Sequence, residues 1–247
     1  MREGRQRFVR ELRDLEDEVQ AMAAAAERLF ELSIRALSGR DPALYTTVVA
    51  GDDEVDAFYF DVEQRIISLF ALQSPVAATD LRLLAALLHI NSHLERVADM
   101  AVNIAKIGSV ARDLPRTAPI LERLEEMGSI AIGMLEAAME ALAARDPDLA
   151  RRLPAMDEPI DRLNRGMLAE VLAVAPDKSA LEWCVEMHLV SRQVERVGDH
   201  AVDIGEQVGY LVTGEFQEFT DASHPEIEHP LPPPPEADDH PAPTGTE

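Results

Sequence analysis

Apolar residues recur at steps of three and four along most of this chain, the period of a helix with one buried face. The stripe is continuous from Phe8 to Leu37, and Gly39 closes it. Asp41 is placed to cap a second helix, with Pro42 at its first position, where a missing N–H costs nothing. That helix is expected to reach about Leu72, followed by a turn from Gln73 to Thr79 that contains Pro75. A third helix begins near Asp80 and carries Leu84, Leu87, Leu88, Asn91, Leu94, Ala98, Ala101 and Ala105 on one face. Asp113 to Pro119 reads as a link, and then the plan repeats. A helix over about 119–143 precedes a cap at Asp146 with Pro147, a helix over 147–174 and a last one over 178–212.

The repetition extends to individual residues. ALSGRDPAL (36–44) returns as ALAARDPDL (141–149), and Met22, Asp52 and Asp56 map with the same offset onto Met127, Asp157 and Asp161. LERVADMAVNIAK (94–106) returns as VERVGDHAVDIGE (194–206), with seven of thirteen positions identical. The offset falls from 105 to 100 between these blocks, so the second copy has lost five residues there. Long helices joined by short turns pack antiparallel, and a duplication of such a unit predicts an all-α fold. Its architecture is two similar three-helix bundles in a pseudo-twofold arrangement, residues 1–112 and 113–214, followed by a tail over 215–247.

Composition narrows this further. Hydrophobic residues make up 47% of the 247 and aromatics only 4%, which favours aliphatic helix seams, with Trp183 as a core anchor. The single cysteine, Cys184, excludes an internal disulfide framework and suits a reducing cytosol as a small core residue. The charged start MREGRQRFVRELRD is unlike a secretory signal. The longest apolar run, LLAALLHI (83–90), falls well short of the ~20 residues that span a bilayer. A cytoplasmic protein with no transmembrane segment is expected.

The net charge of −23 argues against nucleic acid as a partner. Nine of the 46 acids lie from Glu215 onward with eight of the 16 prolines and no Lys or Arg, leaving 37 acids against 23 bases in the body. That terminal stretch has the composition of a disordered segment, and its histidines His224, His229 and His240 read as solvated.

The acids of the body are patterned. Asp52/Asp56, Glu95/Asp99, Asp157/Asp161 and the triplet Glu195/Asp199/Asp203 are spaced by four, so each set shares a helix face despite its like charges. The pairs 56/95 and 52/99 are centred on one point of the chain, inside the Gln73–Thr79 turn, and the pairs 161/195 and 157/199 are both centred beside Asp177. Antiparallel hairpins therefore set two acidic pairs at one height in each copy. One reading leaves the acids in water, neutralised at the surface by Arg96 and Arg196. The other, favoured by the matched heights in both copies, is metal binding. Oxygen-only donors suit Mg²⁺, Mn²⁺ or iron, with zinc also compatible. The Glu-x-x-His elements of di-iron bundles are missing. His89 and His93 have helical metal-pair spacing, but the second copy has Leu189 and Gln193 there, and they read as ordinary face histidines. His200 follows Asp199 and could assist a metal, although its counterpart is Met100.

LERVADMAVNIAK and VERVGDHAVDIGE resemble the paired E-R-x-x-D-x-A-x-N-I-A signatures of the PhoU family of phosphate-uptake regulators. ALQSPVAATDLR (71–82) is similar to that family's Q-x-P-x-A-x-D-L-R segment, and the resemblance covers roughly residues 8–212. It implies the same two-bundle fold and metal clusters on Asp52, Asp56, Glu95, Asp99, Asp157, Asp161, Glu195 and Asp199. It further implies a cytoplasmic, non-catalytic regulator acting on the phosphate ABC transporter, through its ATPase subunit, and on a sensor histidine kinase. Three features depart from the family pattern. Asp203 stands where Asn is usual and joins the candidate ligands, Ala98 replaces a Gly, and the PVAATDLR segment is one residue longer than the common spacing.

Other classes remain open. A carboxylate-bridged metalloenzyme, a phosphoesterase or oxidase, needs an acid–base group beside the metal, and no such group is common to both copies. A metal-free helical scaffold is the third reading. The apolar seams are compatible with a homodimer and do not require one.

Overall fold

Each turn of the repeat is built around an arginine in the left-handed backbone region. Arg40 (φ 52°) and Arg145 (φ 55°) occupy equivalent positions in the two copies. A side chain there costs roughly 1–2 kcal/mol relative to the right-handed region. The guanidinium groups supply compensation: Arg40 donates to the carbonyl of Leu114 (2.8 Å), and Arg145 to Leu142 O (2.7 Å) and Glu16 Oε2 (2.6 Å). The sequence points to Gly39 as the helix stop, but Gly39 is still helical and the reversal falls one residue later. Asp41 and Asp146 then cap as expected, accepting from Ala43 N in one copy and from Asp148 N and Leu149 N in the other.

The computed structural model describes residues 2–72 and 77–219. Its helices are α1 (Arg2–Gly39), α2 (Pro42–Leu72), α3 (Ala78–Val110), α4 (Ala118–Ala144), α5 (Pro147–Ala150), α6 (Leu153–Val174) and α7 (Lys178–Thr213), and no strand occurs among the described residues. The expected turn at Gln73–Thr79 lies largely outside the described residues, and α3 starts two residues before Asp80.

Packing follows the stripe. On α1, Phe8, Leu12, Leu15, Val19, Met22, Ala26 and Leu29 are buried at alternating steps of four and three, the seven-residue period that keeps one seam facing a neighbour. α1, α2 and α3 pack on one another, as do α4, α6 and α7. The bundles join through α1 against α4 and α3 against α7, and the latter is the most extensive helix pairing in the molecule. The equivalent Met22 and Met127 are both fully buried. Trp183 and Cys184 are core residues as expected.

One expectation is corrected. The helix expected over 147–174 is broken at Arg151–Arg152 into α5 and α6. Pro154 causes the break, because it has no N–H for the carbonyl of Ala150 and its ring clashes with a continuing turn. LLAALLHI lies in α3 as a core-helix segment, with Leu83, Leu84, Ala86, Leu87 and Ile90 buried. α4 has the length and mean hydropathy of a bilayer-crossing helix, but 56% of its apolar window is buried against the other helices, as in a core helix.

Residues 215–219, which the sequence assigns to the tail, turn back over α7. Phe219 donates its backbone N–H to Glu206 Oε1 at 2.7 Å, and its ring packs beside Gly205 and Gly209.

Candidate metal centres

The first hairpin brings its four acids together. Burial pushes the Asp52 carboxyl up, and Asp56 and then Asp99 add to the shift. Burial likewise raises Glu95, reinforced by Asp99, Asp56 and Asp52, while Arg96 opposes. These mutual effects place Asp52, Asp56, Glu95 and Asp99 in one electrostatic neighbourhood, at the matched height the hairpin geometry requires. Arg96 is the only cation ion-paired with them among the described residues, 3.3 Å from Glu95 and 2.9 Å from Asp99.

The second hairpin repeats the arrangement more deeply. Asp157 and Asp161 are each 7% exposed. Protein atoms crowd the Asp199 carboxyl and push it up to about 6, with Glu195 and Asp161 adding repulsion. Arg192 pairs with Glu195 at 3.1 Å, and Arg165 approaches Asp161 at 3.7 Å. Arg196, which the solvated reading sets against these acids, makes no ion pair within 4.0 Å among the described residues, unlike Arg96. A cavity of ≈ 220 Å³ opens between Pro154, Asp157, Asp199 and Asp203.

The donor set fits a hard cation. Each hairpin converges carboxylate oxygens on partly desolvated ground, where like charges hold protons unless a positive charge replaces them. An ion held by Asp52, Asp56, Glu95 and Asp99, or by Asp157, Asp161, Glu195 and Asp199, would remove that repulsion.

Behind these acids the helices are tied by buried polar groups. Asn91 donates from Nδ2 to the carbonyl of Tyr59 (3.0 Å), and its counterpart Ser191 donates to Asn164 Oδ1 (3.0 Å). Asn164 is itself the repeat equivalent of Tyr59. The bonds fix the rotation of α3 against α2 and of α7 against α6, and so decide which faces carry the acids.

Asp203 belongs to a second neighbourhood. Its Oδ2 lies 3.4 Å from His93 Nδ1 and 3.5 Å from His200 Nδ1, and the two ring nitrogens are 3.2 Å apart. His93, read from sequence as an ordinary face histidine, instead meets α7 across the repeat boundary. Burial pulls its pKa below the ordinary histidine value, against the opposing pull of Asp203. His89 lines the neighbouring cavity without joining the three. Sequence reasoning missed the set because it compared His93 with its counterpart Gln193 and His200 with Met100 one at a time. The usable signal was that both departures, with Asp203 for Asn103, add metal-binding donors.

A duplicated three-helix bundle with a carboxylate cluster in each hairpin defines the class of protein. The PhoU domain matches this chain over residues 9–108 and again over 124–208. The chain belongs to the PhoU family. It is 32% identical over 206 residues to the phosphate-specific transport system accessory protein PhoU homolog of Caulobacter vibrioides, covering 83% of this chain and 89% of that one. It is 33% identical to the homolog of the same description from Synechocystis, covering 84% and 92%. Among solved structures, PhoU from Pseudomonas aeruginosa superposes with a TM-score of 0.80 at 28% identity, covering 84% of this chain and all of that chain. The phosphate transport system regulatory protein PhoU from Streptococcus pneumoniae shares the fold with a TM-score of 0.79 at 23% identity, covering 85% of this chain and 99% of that chain.

Proposed function

We propose that this protein is a negative regulator of the phosphate-starvation response that also modulates phosphate uptake. In this reading it is a cytoplasmic, metal-binding adaptor between the ATPase subunit of a phosphate ABC transporter and a sensor histidine kinase. The observation that carries the reading is the family match across both repeats, together with the convergence of four acids in each hairpin. Relatives of similar length are accessory proteins of phosphate-specific transport.

Asp52, Asp56, Glu95 and Asp99 hold metal in the first hairpin. Asp157, Asp161, Glu195 and Asp199, with Asp203 at the edge, hold it in the second. The ions are Mg²⁺, Mn²⁺, iron or Zn²⁺, and the first three match the all-oxygen donors best. Their chemistry here is charge neutralisation: a cation pins α2 to α3 and α6 to α7 and so sets the helix surfaces offered to partners. The protein acts through those surfaces and not by turnover.

The test uses the native host lacking this gene, grown with ample phosphate, with alkaline phosphatase activity as the readout of the starvation response. The intact gene is expected to silence the activity. A version with Glu95, Asp99, Glu195 and Asp199 all changed to Ala, accumulating to the same level, is expected to leave it on. Silencing by both would make the acids dispensable for regulation, and no activity in the deletion strain would refute the regulatory reading.

A further inference from the structure

The seam between α3 and α7 carries the pseudo-twofold relation of the repeats, so each contact across it has an equivalent. At one point Asn103 meets Gln193, with Nδ2 to Oε1 at 3.4 Å. The equivalent pair is Asp203 and His93, and Met100 is exchanged for His200. Thus an Asn–Gln contact beside a methionine on one side becomes an Asp–His contact beside a second histidine on the other. All three changes replace a poor metal ligand with a good one.

The geometry of the altered point is specific. The three candidate ligand atoms, His93 Nδ1, His200 Nδ1 and Asp203 Oδ2, are separated by 3.2, 3.4 and 3.5 Å. A tetrahedral ion with bonds of about 2.0–2.1 Å places its ligands roughly 3.3–3.4 Å apart. Octahedral coordination at the same bond length needs about 3.0 Å between neighbours. The observed triangle has the tetrahedral edge. His200 Nε2 is buried with no hydrogen-bond partner among the described residues, so Nδ1 is that ring's polar contact. A cavity of ≈ 490 Å³ lined by His93, Asp203 and Tyr210 reaches two of the three ligands.

We propose that His93, His200 and Asp203 form a transition-metal site of the zinc type, bridging the two repeats across the α3–α7 seam. It differs from the carboxylate clusters in donor chemistry and shares with them only Asp203, at the edge of the second. Two imidazoles and one carboxylate select a borderline ion over Mg²⁺ or Ca²⁺. Each cluster ties helices within one repeat, whereas this ion ties one repeat to the other.

The chain provides its own conservative replacements: His93→Gln, His200→Met and Asp203→Asn each install the residue that the equivalent position already holds. The full-length protein is stripped with chelator and titrated with Co²⁺, read by visible absorption and by elemental analysis after buffer exchange. The parent is expected to show the intense bands of four-coordinate cobalt at one equivalent, lost on adding Zn²⁺. Each single replacement should weaken binding at least tenfold, and the triple replacement should abolish the bands. Changing Glu95, Asp99, Glu195 and Asp199 to Ala should leave them in place. The tail histidines are common to all these proteins and cancel in the comparison. Identical spectra and stoichiometry in the parent and a folded triple variant would overturn the site. So would a parent showing only the weak absorption of six-coordinate cobalt.

Discussion

Gly198 lies directly beneath Asp157: a Cβ built on Gly198 would sit 2.3 Å from Asp157 Oδ1. The glycine on α7 is what lets α6 approach closely enough to bury this acid. In the first copy the equivalent residue is Ala98, so that helix pair carries one more methyl group at the same height.

Gly198→Ala is therefore expected to destabilise the protein. Alanine gains about 0.5–1 kcal/mol in helix propensity, but overpacking a closed contact costs about 1–3 kcal/mol. Asp157 is short and almost fully buried, so it cannot swing away cheaply. Urea unfolding should show a lower midpoint at unchanged slope, and an unchanged or higher midpoint would refute the contact's role.

Metal removal gives a second expectation. An ion at a hundredfold excess over its Kd stabilises the folded state by about 2.7 kcal/mol. For a chain of this size that corresponds to a fall in Tm of roughly 5–10 °C on chelation. Elemental analysis should find less metal in Glu95→Ala/Asp99→Ala than in the parent, and a smaller chelator effect on Tm. A parent free of metal, with a melting curve indifferent to EDTA, would rule out ion binding by the carboxylates.

The chelated protein should also become more stable as pH falls from 7 to 5. Asp199 has a folded pKa of about 6, above its ordinary value of 3.8. Between those values the folded state holds a proton that the unfolded chain has released, so stability falls as pH rises and the loss is complete above 6. Asp52 and Glu95 shift in the same direction. Asp199→Asn should raise the chelated protein's stability at pH 7 by on the order of 1 kcal/mol after solvent screening, and flatten the pH dependence. Thermal melts of both proteins across this pH range provide the check; a steeper slope in the variant would contradict the assignment.

The left-handed turns predict a contrast between two substitutions at one residue. Arg40→Gly relieves the backbone while losing the bond to Leu114, and should change stability little. Arg40→Val keeps a Cβ and adds a branch in a region β-branched residues avoid, so it should be less stable than the glycine variant by about 1–2 kcal/mol. Equal stabilities would mean that φ at this position relaxes freely.

The hairpins were legible in the sequence because a short turn fixes which residues of two antiparallel helices face each other. Asp52 and Asp99 could be paired from their distances to the turn alone. No comparable constraint relates α3 to α7, whose register depends on how two complete bundles settle together, so the meeting of His93 with His200 could not be read from spacing. The break at Arg151–Arg152 was available in principle from Pro154. It was obscured because the first copy has Val49 there and a continuous helix, and the repeat comparison carried that continuity over. The arginine turns were masked by Gly39, a stronger conformational signal one residue away.

The dominance of the α3–α7 seam also bears on how the protein is made. The first three helices leave the ribosome before the partner of α3 has been translated, and at about 5–20 residues per second the roughly hundred residues from Val110 to the end of α7 at Thr213 take roughly 5–20 s. Helices of the first bundle can form in microseconds, so for nearly all that interval an aliphatic seam stands uncovered. Synthesis order thus makes the nascent first repeat, and any fragment ending after Val110, the form of this chain most exposed to aggregation and most dependent on chaperones.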